Sequence, residues 1–240
     1  MADRVEQLLS DGLAAWGVHL PCEAQRTLCD YLQLLTQKNE EVNLTAVSGA
    51  KALVRRHLLD SLAPLHLGLL REGGTLIDVG TGAGLPGLPL AVAAGDLSVT
   101  LLDSLGKRID FLSHTLSQLA ISNAQPLLGR AEELGHHPAH REVYRTATAR
   151  AVAPLRTLCE YCLPFVRVGG TLIAYKGADV AQEVEDARNA IEQLGGKLDR
   201  VETYRVPGEQ LDRSLVVLSK IAPCDARFPR RHSRIVKNPL

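Results

Sequence analysis

The chain has 240 residues, 45% of them hydrophobic, with 27 Lys and Arg against 27 Asp and Glu, so its formal net charge is zero. That length suits one large domain, or one domain with an extension, and zero net charge excludes a globally basic nucleic-acid binder: RNA contact would need a local basic patch. No run of about 18 apolar residues is present, so no membrane span is expected, and the charged start Met1-Ala-Asp-Arg-Val-Glu6 lacks the apolar core of a signal peptide.

In chain order, Val5, Leu8, Leu9, Leu13 and Trp16 recur at helical spacing over residues 3–16. Pro21 opens a second helix with Leu28, Leu32 and Leu35 on one face. A third helical stretch covers about 49–70. Residues 1–72 therefore read as an N-terminal helical extension. The organising stretch follows: Thr75-Leu-Ile-Asp78-Val-Gly80-Thr-Gly82-Ala-Gly84-Leu85-Pro-Gly87, with a helix start behind it. A strand running through a glycine turn into a helix is a cofactor cradle, because glycines admit close approach and helix starts offer free N–H groups. Counted from Gly82, the spacing matches a dinucleotide fingerprint. Counted from Asp78, it matches class I S-adenosylmethionine methyltransferases. Asp78 favours the second reading, since a pyrophosphate beside it would be repelled.

From residue 75 strands and helices alternate, with strands expected at 75–79, 98–102, 124–128, 146–150 and 170–175. A helix at about 178–194 precedes two further strands, 197–206 and 214–221, joined by a turn at Pro207-Gly208. The expected fold is α/β and Rossmann-like: seven strands, mostly parallel, with an antiparallel last strand. Residues 73–222 form this domain, and 223–240 form a basic tail. Asp103 ends the second strand, where a carboxylate can accept from ribose hydroxyls. Gly129-Arg130-Ala131-Glu132-Glu133 follows the third strand on the adenine side, where backbone N–H groups and a carboxylate can read the ring. Cys159-Glu-Tyr-Cys162 has no second pair to complete a zinc site. It reads as two small residues on a helix, and no metal site is expected. Scattered cysteines suit a reducing compartment, the cytoplasm.

Six segments taken together resemble one family. They are Asn43-Leu-Thr-Ala46, Arg56-His-Leu-Leu-Asp-Ser-Leu62, the Asp78–Gly87 turn, Leu102-Asp-Ser-Leu-Gly-Lys-Arg108, Arg150-Ala-Val-Ala-Pro-Leu155 and Lys176-Gly177. The chain is similar to the bacterial small-subunit ribosomal RNA guanine-N7 methyltransferases, also called the glucose-inhibited division protein B family. The resemblance implies S-adenosylmethionine as cofactor and methyl transfer to N7 of a guanosine in the decoding-region loop of 16S rRNA. The partner would be that RNA or the small ribosomal subunit, and the enzyme a monomer. It also implies cofactor contacts at Gly80, Leu85, Ala131, Glu132 and Arg150, added to Asp78, Gly82, Gly84 and Asp103. Two departures stand out: Arg145 where the family often has an acid, and a lengthened loop, His136-His-Pro-Ala-His140.

Guanine N7 offers a lone pair and no proton, so no general base is expected, and no catalytic nucleophile or base is assigned. Arg150 and Lys176, at strand ends, are candidates for positioning the base, Lys176 also for touching RNA. Arg55, Arg56 and His57 form one basic run. Arg230, Arg231, Arg234 and Lys237 form another in a tail expected to be extended and remote from the cofactor. Arg56 could instead pair with Asp60 across one helical turn. Two other classes fit less of the chain: a nicotinamide-dependent oxidoreductase, and a non-catalytic RNA-binding module with a nucleotide-binding shape.

Overall fold

The computed structural model describes residues 2–70 and 73–240. The N-terminal part holds α1 (Ala2–Trp16) and α2 (Cys22–Val42), then α3 (Ala50–Leu53), a π-helical turn (Val54–Leu59) and α4 (Ala63–His66). The sheet begins with β1 (Gly74–Val79), followed by α5 (Gly87–Ala93), β2 (Leu97–Asp103), α6 (Gly106–Gln118), β3 (Ala124–Leu128) and α7 (Ala131–Leu134). Next come β4 (Tyr144–Arg150), α8 (Leu155–Cys162), β5 (Val166–Gly177), α9 (Ala181–Asp186) and α10 (Arg188–Gln193). A hairpin of β6 (Gly196–Arg205) and β7 (Asp212–Lys220) precedes α11 (His232–Lys237).

The seven strands pair in the order β3-β2-β1-β4-β5-β7-β6. All pairs from β3 to β5 are parallel, while β7 runs antiparallel to both β5 and β6. This is the expected arrangement, with the antiparallel last strand inserted between β5 and β6. The chain reverses its direction of winding at β1 and β4, and such a switch point opens a crevice at the carboxyl ends of the strands.

Both faces of the sheet are covered. On one, Leu9 and Leu13 of α1 and Leu28, Tyr31, Leu32 and Leu35 of α2 join Ile173, Tyr175 and Leu215 of the sheet in one core. On the other, α8 and α10 pack with Phe228 and Ile235 of the C-terminal segment. The helical extension and the tail thus share cores with the sheet. Among the described residues no helix is long and apolar enough to cross a membrane.

Three expectations are corrected. The stretch 49–70 is not one helix: the π-helical turn interrupts it. The helix at 178–194 is broken into α9 and α10 at Ala187. The tail is not extended: it carries α11 and buries Phe228 and Ile235. The physical reason is Glu160 of α8, a carboxylate closed off from solvent amid apolar neighbours. Arg230 satisfies it with Nε at 2.8 Å and 3.1 Å from its two oxygens, Nη2 at 2.6 Å and its own backbone N–H at 2.7 Å. Removing one partner of a buried pair strands the other. Arg230→Ala should therefore cost about 2–4 kcal/mol of stability in urea denaturation. Arg231→Ala, at an exposed position, should stay within about 0.5 kcal/mol. Equal small effects would remove Arg230 from its anchoring role.

Candidate active site

Asp78 ends the apolar run of β1 and is fully buried. Its Oδ2 accepts from Thr81 Oγ1 at 2.6 Å and from Gly87 N–H at 2.9 Å, and its Oδ1 accepts from Thr148 Oγ1 at 2.9 Å. One carboxylate thereby joins β1, the glycine turn, the start of α5 and β4. Burial pushes its pKa up, while the bonds from Thr81, Gly87 and Thr148 pull it back down. Gly87 has to be glycine, because a Cβ there would sit 2.5 Å from Leu101 Cδ2 and 2.8 Å from Asp78 Cβ. Asp78 was expected against the cofactor. It lies under the turn, so the argument from pyrophosphate repulsion no longer applies.

A cleft of ≈ 580 Å³ opens above this turn at the strand ends. Val79 and Gly80 from β1 line it, with Asp103, Ser104 and Arg108 after β2 and Gly129, Arg130, Ala131 and Glu132 after β3. Ala151, Val152, Ala153 and Pro154 after β4 form another side. Gly80 has φ +72°, and a Cβ on it would meet Val152 Cγ2 at 2.7 Å. Asp103 is only 3% exposed. It accepts from Gly82 N–H at 2.9 Å, Leu105 N–H at 3.0 Å and Arg108 at 3.1 Å. A carboxylate has about four lone-pair sites, so acceptor capacity remains toward the cleft. The glycine-lined turn, the buried acid and apolar Val79 and Val152 suit a ligand with ribose hydroxyls and an apolar body.

Gly82, Gly84 and Leu85 do not line this cleft. Gly82 donates to Asp103, a Cβ on Gly84 would meet Leu112 Cδ2 at 2.8 Å, and Leu85 is buried. They shape the turn, which Tyr31 of α2 also holds by donating to the Ala83 carbonyl at 2.9 Å.

Arg150 lies in a second pocket of ≈ 650 Å³, not in the first. The two share Ala151, Val152 and Ala153 as a common wall. A second buried acid, Asp60, organises this pocket. Arg150 donates to its Oδ2 at 2.7 Å, Tyr204 to its Oδ1 at 2.8 Å, and Arg213 Nη1 lies 3.2 Å from that oxygen. Arg150 also donates to the Arg56 carbonyl at 3.1 Å, which the π-helical turn presents. Asp60 thus pairs with Arg150 and Arg213, while Arg56 lies 3.6 Å from Glu209. Lys176 lines the same pocket and donates to the Ala153 carbonyl at 2.8 Å and to Glu183 at 2.7 Å. It is a fixed part of the common wall.

The RNA candidates divide. His57 is buried against Thr45 Oγ1 at 2.8 Å. Burial, followed by the charge of Arg150, lowers its pKa to about 4. A neutral, enclosed ring cannot neutralise a phosphate, so His57 leaves the basic run. Arg230 leaves it too, since Glu160 occupies its guanidinium. Arg56, Arg231, Arg234 and Lys237 are exposed, while Arg55 donates to the Gly208 carbonyl. Burial pushes the Cys159 thiol up to about 12, and Cys162 is raised as well.

Sequence reasoning missed several lining residues. Arg108, Val152 and Asp60 lay inside segments already singled out. Tyr204 and Arg213 had no local signal, and neither did Tyr161, His232, Val236 and Pro239, which also line the first cleft.

A family model described as rRNA small subunit methyltransferase G matches residues 24–215. The chain is 41% identical to the ribosomal RNA small subunit methyltransferase G of Alkaliphilus metalliredigens over 98% of both chains. It is 42% identical to that of Chloroflexus aggregans over the full length of both. Its fold is similar to M. jannaschii TYW2 in complex with AdoMet, with a TM-score of 0.55 and 15% identity over 75% of this chain and 81% of that one.

Two substitutions test the first cleft. Gly80→Val should nearly abolish S-adenosylmethionine binding, because the side chain meets Val152 at a positive φ. Asp103→Ala should weaken binding by about 1.5–3 kcal/mol, and by less for a cofactor lacking ribose hydroxyls. Near-normal affinity of folded Gly80→Val by calorimetry would exclude this cleft as the cofactor site.

Proposed function

The chain belongs to the rRNA small subunit methyltransferase G family and is an S-adenosylmethionine-dependent methyltransferase, and we propose on that basis that it methylates N7 of a guanosine in the decoding-region loop of 16S rRNA, as a monomer in the cytoplasm. The observation that supports this reading is the pair of adjoining pockets. One offers an acid and apolar walls, the other three cationic side chains, and only Ala151–Ala153 separates them.

When bound, S-adenosylmethionine supplies a methyl group on a sulfonium, which the in-plane lone pair of N7 can attack directly. The protein's task is alignment and exclusion of water. No side chain has to remove a proton. Asp60 is fully engaged by Arg150, Tyr204 and Arg213, and it holds those cations in place. A guanine presents O6 and N7 as neighbouring acceptors. A guanidinium donating to O6 orients the base and leaves N7 free. Arg213 has the more exposed side chain of the two arginines and is assigned this contact, with Arg150 behind it. Lys176 holds Ala153, and so keeps the wall between the two pockets in place.

Arg231, Arg234 and Lys237 on α11 and Arg56 beside the second pocket supply phosphate contacts. Replacing the three α11 cations by alanine should lower activity on RNA and reduce the log–log salt slope of RNA binding by roughly two to three units, since each lost phosphate contact releases fewer counterions. An unchanged slope would end the RNA role of α11. The reaction itself is tested by labelling 16S rRNA and small subunits from cells lacking the protein and mapping 7-methylguanosine. Methyl on another atom, or on no RNA, would refute the proposal.

A further inference from the structure

The matched family region ends at residue 215, yet His232, Val236 and Pro239 line the same cleft as Asp103 and Glu132. This runs against the expectation that the tail and the cofactor site are separate. The segment is firmly seated. Arg141 donates to the carbonyls of Gly135 and Phe228 through Nη1, at 2.9 Å and 2.7 Å. Through Nη2 it donates to those of Cys224 and Asp225, at 2.7 Å and 3.1 Å. His136 Nε2 lies 2.7 Å from the Pro229 carbonyl. The lengthened loop after α7 is therefore the cradle of the tail. Arg230 on Glu160 and fully buried Ile235 then fix the rotation of α11.

With that rotation fixed, His232 and Val236, four residues apart on one face, meet the cleft. Val236 is 56% exposed and Val152 is 39% exposed, and both line it. Apolar side chains left open inside one cleft mark a ligand surface. The Tyr161 hydroxyl lies 2.8 Å from His232 Nδ1. With that hydroxyl donating, Nε2–H remains as the donor of a ring that borders the cleft. The tail also abuts α7, where a Cβ on Gly135 would meet Pro229 Cγ at 2.9 Å. α7 starts in the loop after β3, the side assigned to adenine. We infer that α11 is the adenine-side wall of the cofactor site, with Val236 and His232 touching the adenosyl part. The inference rests on the first cleft being the cofactor site.

Calorimetry on the full chain tests it with two compounds, S-adenosylmethionine and 5′-methylthioadenosine, which keeps the adenosyl part and lacks the amino acid. Val236→Asp places a charge against the adenine and should weaken both by a similar factor, about tenfold or more. His232→Ala should weaken both by a smaller factor. Asp103→Ala is the control. If it leaves both affinities unchanged, the cleft reading fails, and this inference falls with it. If Asp103→Ala weakens binding but Val236→Asp and His232→Ala do not, α11 is no part of the site. A loss confined to S-adenosylmethionine would put α11 at the methionyl end and overturn the assignment to adenine. Urea midpoints of the variants should match the parent, because both side chains sit on the open face of α11.

Discussion

The Asp78 carboxylate is the constraint on which the rest of the cofactor site depends. Three donors from three places in the chain converge on it: Thr81 in the turn, Gly87 at the start of α5 and Thr148 in β4. An unpaired buried carboxylate would be costly, so the turn is held in the one shape that satisfies it. That shape puts Gly80 at positive φ beside Val152 and aims the Gly82 N–H at Asp103. The cleft is therefore built by an acid that does not line it.

Asp60 repeats the device on the target side. Arg150 from β4, Tyr204 from β6 and Arg213 from β7 all meet it, and the π-helical turn before it presents the Arg56 carbonyl to Arg150. Widened helical turns of this kind recur at functional sites. The N-terminal part, the sheet and the last hairpin are joined at this one carboxylate. A third buried acid, Glu160, does the same for the C-terminal segment. Each acid ties an element distant in sequence to the strand ends, where the chemistry is placed.

The strands were legible because their signal is local: short apolar runs bounded by Gly, Pro and Asn. β3 falls at the expected 124–128. β5 starts earlier than the expected 170, at Val166, because that end of the strand pairs irregularly with Tyr144. The glycine turn and Asp103 were legible for the same reason. The π-helical turn was not, since Val54–Leu59 carries no helix breaker and its widening follows from where Asp60 must reach. The tail misled through its charge density. Glu160 is the acid that captures Arg230, and its one local sign is its place in Leu158-Cys-Glu-Tyr-Cys162, an otherwise apolar or aromatic run. Periodicity cannot reveal a partner 70 residues away.

The most direct measurement is the affinity of Asp78→Asn for S-adenosylmethionine, taken with a check that the protein stays folded. The amide keeps the size of the side chain but cannot accept at both ends, so Thr81 and Gly87 or Thr148 lose a partner. Hydrogen bonds to a charged group contribute about 1.5–3 kcal/mol each. The account predicts roughly a tenfold or greater loss of affinity, although residue 78 never touches the cleft. Parental affinity in a folded Asp78→Asn protein would contradict it.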